Sequence, residues 1–87
     1  MANKLLTTNA LLYFYQGKVY QEMEVHDIAA ARFLKAAAYM REEASDVYTA
    51  ARYHAGVSYY RQGLYEDARE EFSEVAGAAA ETEMGRS

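Results

Sequence analysis

The chain has 87 residues, nine Lys and Arg against thirteen Asp and Glu, and no Cys, Pro or Trp. With 52% hydrophobic and 25% charged residues it is too apolar for a disordered segment, and its length fits one small domain of marginal stability. The formal charge of -4 leaves no basic surplus for nucleic acid, and the lack of Cys removes disulfides, thiolate zinc sites and a Cys nucleophile while fitting a cytoplasmic setting. No apolar run approaches the roughly 18 residues of a membrane span, and the N-terminus carries no signal-peptide pattern.

Four helices are expected. The first runs from about Leu5 to Met23. The second begins near His26 and Asp27, with Asp27 as its N-cap, and places Ala29, Phe33, Ala36, Ala37 and Met40 on one face by their three- and four-residue spacing. A third starts after Ser45 or Asp46, both good caps, and ends at Arg61, where Gln62-Gly63 offers a left-handed C-terminus. The fourth spans about Tyr65 to Ala80 with Ala68, Phe72, Val75, Ala76 and Ala79 inward, and residues 81–87 are expected to form a flexible tail. Alternating runs bounded by turn residues do not occur, so the class is all-α, rich in alanine, the best helix former.

An internal repeat organises these helices. A shift of 39 residues superimposes Gly17 on Gly56, Tyr20 on Tyr59, Ala29 on Ala68, Phe33 on Phe72 and Ala37 on Ala76. Gly17 and Gly56 fall inside helices, where Gly costs about 1 kcal/mol relative to Ala. Close contact with a neighbouring helix that leaves no room for Cβ accounts for them. Ala29 and Ala68 supply the small partners, and Tyr20, Tyr59, Phe33 and Phe72 fill the space beside them. The expected architecture is an antiparallel helical hairpin made twice, over residues 5–43 and 46–80.

The spaced set Tyr13-x-x-Gln16-Gly17-x-x-Tyr20, then Ala29-x-x-x-Phe33, resembles the tetratricopeptide repeat, as does Arg52-x-x-Ala55-Gly56-x-x-Tyr59, then Ala68-x-x-x-Phe72. Tyr13 and Arg52 stand where that family has Trp, Gln16 and Ala55 where it has Leu, and the closing Pro is missing from both units. The longer period adds about five residues after Tyr39, which the resemblance places in a second helix extended by roughly a turn and a half. The stretches Tyr13–Met23, Ala36–Glu42 and Tyr59–Ala68 are also similar to repeats of the Rap-type bacterial peptide-pheromone regulators. In those proteins an N-terminal helical bundle carries the phosphatase and regulator-docking activity, and Asn residues on the inner helices grip peptide backbone. Here Lys18 and Val57 occupy the Asn positions, so the resemblance implies the scaffold and not that grip.

Catalytic and metal chemistry find little support. Glu22 and His26 are four apart, but the turn between the first two helices separates their faces. Glu42-Glu43 and Glu70-Glu71 point in different directions, as neighbours on a helix do. Neither a phosphate loop nor a dinucleotide fingerprint is present, and Ser45, Ser58 and Ser73 have no identifiable base. No catalytic residue, metal or cofactor is therefore expected.

Twelve aromatic residues, nine of them Tyr, exceed what the repeat core requires. Phe14, Tyr53 and Tyr60 fall on the inner-helix face together with Lys18, Gln21, Val57 and Arg61. These seven are the candidate peptide- or protein-binding residues, with aromatic anchors among polar groups. Two further readings stay open. The same rings can pack against a second copy, making a homodimer that serves as a structural assembly unit. Alternatively, the chain is a Rap-like fragment acting on a response regulator without its catalytic bundle.

Overall fold

A computed structural model describes residues 4–40 and 46–86, and their side chains apart from those of 4, 6 and 78–86. Four helices follow one another: α1 (Lys4–Glu22), α2 (His26–Tyr39), α3 (Asp46–Arg61) and α4 (Tyr65–Arg86). There is no strand among the described residues. Each helix packs on the next, and α1 also touches α3, so the chain forms two antiparallel hairpins stacked through α2 and α3.

The two hairpins turn in the same way. The Val25 N–H donates to the Tyr20 carbonyl at 2.9 Å and the Glu24 N–H to the Gln21 carbonyl at 3.0 Å. Thirty-nine residues on, Leu64 donates to Tyr59 at 2.9 Å and Gly63 to Tyr60 at 3.0 Å. This double bond pattern is the Schellman closure, with the left-handed residue at Glu24 (φ 63) and Gly63 (φ 81). The Val25 and Leu64 carbonyls then accept the Ala29 and Ala68 N–H groups, each at 3.0 Å, and so begin the second helix without a spare residue.

That economy explains one departure from the sequence expectation. Asp27 is not the N-cap of α2: Val25 is, with no side-chain cap, and the Asp27 carboxylate instead accepts the Ile28 N–H at 2.9 Å within the first turn. A second departure concerns the extra residues of the long period. The helix expected to carry them, α2, closes at Tyr39 with the Met40 N–H bonded back to the Ala37 carbonyl. Residues 41–45, including the Ser45 cap candidate, lie outside the described residues. A third is at the other end, where α4 continues past Ala80 to Arg86. No Pro and no left-handed residue interrupts that helix, and isolated Gly77 is tolerated in it.

The core is built from small side chains. Ala10, Ala29, Ala30, Ala36, Ala37, Ala51, Ala55 and Ala68 are buried with Phe33 and Met40. At both mid-helix glycines the facing helix leaves no room for Cβ, as the repeat requires, but the nearest atoms are those of an aromatic ring and not of Ala29 or Ala68. A Cβ on Gly17 would lie 2.8 Å from the Phe33 ring, and one on Gly56 would lie 2.7 Å from the Phe72 ring. Each glycine thus admits an aromatic ring from the facing helix. The hairpins differ in cover: Phe33 is fully buried between α1 and α3, whereas Phe72 is half-buried and Ala76, expected inward, is exposed. Among the described residues α4 packs on α3 alone.

Candidate functional site

An aromatic row crosses the two hairpins. His54 of α3 stacks on Phe33 of α2 with centroids 5.2 Å apart. Phe14 of α1 meets the edges of both rings, at 5.6 Å from Phe33 and 5.7 Å from His54. Tyr53 continues the row, 5.6 Å from His54 and 5.8 Å from Phe72. Rings on neighbouring helices meet because small Ala and Gly at the crossings bring the backbones close. Burial, with the Lys18 ammonium second, holds the His54 imidazole below its ordinary value.

Beyond this row the chain folds into a groove of about 790 Å³, lined by Glu24, His26, Val57, Tyr60, Arg61 and Phe72. Val57, Tyr60 and Arg61 share one face of α3 by their three- and four-residue spacing. The left-handed turn at Glu24 and the start of α2 form one wall. A hydrogen bond from Gln62 Nε2 to the His26 carbonyl, at 3.3 Å, ties that wall to the end of α3. Phe72 lies on α4. Tyr60 is 59% exposed and meets the edge of Tyr65 at 5.1 Å, so an aromatic pair stands beside the groove. The groove therefore offers apolar surface from Val57, Tyr60 and Phe72, with a fixed cation at Arg61 and an acid at Glu24.

The structure gathers three of the seven candidate residues, Val57, Tyr60 and Arg61, in this groove. Tyr53 is exposed nearby, over Phe72. Lys18 and Gln21 are half-buried on α1, outside the groove lining, and Phe14 is committed to packing against Phe33 and His54. Glu24, His26 and Phe72 were not singled out for binding from the sequence. Glu24 had one available signal: it lies 39 residues before Gly63, so the repeat gives it the same left-handed turn.

A second pair of equivalent positions carries different chemistry in each unit. In the first hairpin the Arg32 guanidinium lies 6.0 Å from the Tyr13 ring centroid, and Lys35 Nζ lies 4.8 Å from it. In the second, the equivalents Arg52 and Glu71 form an ion pair at 2.7 Å with Glu71 only 8% exposed. Burial pulls the Arg52 guanidinium down, but the bond to Glu71 and its charge outweigh that and hold it above its ordinary value. This pair joins α3 to α4 and is structural in placement.

Fold and site define a pair of stacked helical hairpins whose groove is lined by α3, the start of α2, the turn before it and α4, and not by α1. No family model, curated protein or solved structure matches the chain. Among the described residues no helix is long and apolar enough to cross a membrane.

Proposed function

We propose that this chain is a non-enzymatic, tetratricopeptide-like binding module that takes a peptide or protein segment into the groove of Val57, Tyr60, Arg61 and Phe72. The tetratricopeptide-like assignment rests on the doubled Gly, Tyr, Ala and Phe positions and the contacts each pair makes. The observation that carries the binding reading is the groove itself, where an exposed Tyr pair and a cation stand over apolar walls. Tyr and Arg are enriched among residues that dominate binding energy, because they combine large contact area with directed polar groups. The complementary segment presents an apolar side chain to Tyr60 and Phe72 and a carboxylate to Arg61. A chain without Cys suits the cytoplasm as the place of this encounter.

The test is selection from a random peptide library on the folded protein, followed by titration of the selected peptides. Enrichment of acidic residues next to an apolar or aromatic anchor is expected. Binding should fall at least tenfold in Tyr60→Ala and in Arg61→Glu while far-ultraviolet circular dichroism stays unchanged. Selected peptides that bind both variants as tightly as the parent would overturn the proposal.

A further inference from the structure

The outward face of α1 carries an apolar stripe. Leu12, Tyr15, Val19 and Met23 are 54%, 62%, 56% and 61% exposed, and Leu5, seven residues before Leu12, is 66% exposed. Their spacing of three, four and seven residues aligns them along one side of the helix. The internal repeat says what this side is for. Thirty-nine residues after Leu12, Tyr15 and Val19 come Ala51, His54 and Ser58 of α3. Ala51 is fully buried against Ala36 and Ala37 of α2, His54 stacks on Phe33 of α2, and Ser58 is fully buried. In α1 the same face is exposed.

Within the chain, the helix equivalent to α2 is α4. A second copy could therefore be imagined stacking α4 onto α1, but the side chains oppose it. Of the α2 residues that pack towards α3, Leu34 and Ala37 have exposed Ser73 and Ala76 as their α4 equivalents, and Phe33 and Ala36 have Phe72 and Val75, which are half-buried. Exposed Arg69 stands where α2 has buried Ala30. Seating Arg69 against Val19 would take a guanidinium out of water beside an apolar side chain. Leu12 and Val19 also replace the small Ala51 and Ser58 that let α2 approach α3. The apolar complement of the α1 stripe is thus the α1 stripe itself.

We propose that α1 is the seam of a two-fold homodimer, packed antiparallel against α1 of a second copy. Leu5, Leu12 and Val19 are evenly spaced about Leu12, so an antiparallel pairing sets Leu12 against its own counterpart and Leu5 against Val19. The dimer covers the apolar α1 stripe of each copy. It leaves Arg69 and Ser73 of each α4 in water, as polar exposed helix faces of repeat proteins are.

Sedimentation velocity from about 1 to about 100 µM reads the mass, since mass action governs the equilibrium. A species of twice the 9.8 kDa monomer is expected at the upper end. Leu12→Glu with Val19→Glu should reduce it to monomer with helicity retained. The chain has no cysteine, so Leu12→Cys offers one thiol per copy. In a glutathione redox buffer it should form a disulfide-linked dimer, while Ala76→Cys on α4 should not. A 9.8 kDa species at every concentration would overturn the proposal. So would a Leu12→Cys protein that fails to cross-link. Oligomer ladders from a Leu12→Cys and Ala76→Cys double variant, without cross-linking of either single variant, would point to head-to-tail stacking instead.

Discussion

Glu24 holds a left-handed backbone conformation, φ 63, at the place where its repeat partner is Gly63, φ 81. An L-residue with a Cβ carries a cost of about 1–2 kcal/mol in that region, and glycine is nearly free of it. Glu24→Gly should therefore stabilise the fold by roughly 0.5–1 kcal/mol, and Gly63→Ala should weaken it by about 1 kcal/mol. Urea melts of the two variants measure both signs. The mid-helix glycines make a finer distinction. Helix propensity favours alanine at both by about 1 kcal/mol, but the new Cβ would press on a ring. At Gly17 that ring is Phe33, fully buried, and at Gly56 it is Phe72, half-buried with room to shift. Gly17→Ala should cost about 1–3 kcal/mol and Gly56→Ala markedly less. Equal losses in the same melts would show that the two rings yield alike.

At the scale of helices, the contact between the first and second members of each hairpin is kept while its chemistry is exchanged. Tyr13 with Arg32 in one unit becomes Arg52 with Glu71 in the other. Glu71→Ala leaves the half-buried Arg52 guanidinium without its carboxylate, with the Tyr48 ring still beside it, and should cost about 1–3 kcal/mol. Arg52→Tyr combined with Glu71→Arg recreates the first unit's pair and should recover most of that loss. A double variant no more stable than Glu71→Ala alone would mean the two contacts are not interchangeable. The α2–α3 junction carries a pH dependence. His54 is held below its ordinary value, chiefly by burial and then by Lys18, so the unfolded chain takes up the proton first as pH falls. Stability contributed by neutral His54 is complete above the ordinary histidine range and declines as pH drops through it towards the folded value. Between about pH 7 and pH 5 the melting temperature of the parent should fall more steeply than that of His54→Phe.

Over the whole molecule, the described core is mostly alanine, and Phe33 is the one large hydrophobic side chain in it that is fully buried. Alanine lets helices approach but removes little apolar area from water, so the gain per residue is small. Cα extents of 39 × 28 × 15 Å describe a flattened body that is all near-surface. Phe33 touches Phe14, His54 and the Ala29 and Ala55 cluster, and so joins both hairpins. Phe33→Ala should cost about 3–5 kcal/mol, comparable to the stability of so small a domain. Loss of the helical circular dichroism signal near room temperature is the expected outcome. Phe72→Ala, at the equivalent but half-buried position, should remain folded.

The amino-acid sequence determined the helical class, the order of four helices and the close helix approach at Gly17 and Gly56. Those features depend on spacing along one chain, and the repeat states the spacing twice. The turn after α3 was legible because Gly63 advertises it. Its twin at Glu24 was concealed by a side chain that accepts the same conformation at a cost. What only the tertiary structure decided was cover. Ala37 and Ala76 occupy the same repeat position, yet one is buried and the other exposed, because among the described residues α2 has a helix on each side and α4 has one. The same reason separates the candidate site residues. Phe14 faces α2 and α3 and is drawn into the core, while Val57, Tyr60 and Arg61 line the groove that Glu24, His26 and Phe72 complete. Periodicity assigns a residue to a face of its helix, and burial of that face depends on which other helix reaches it.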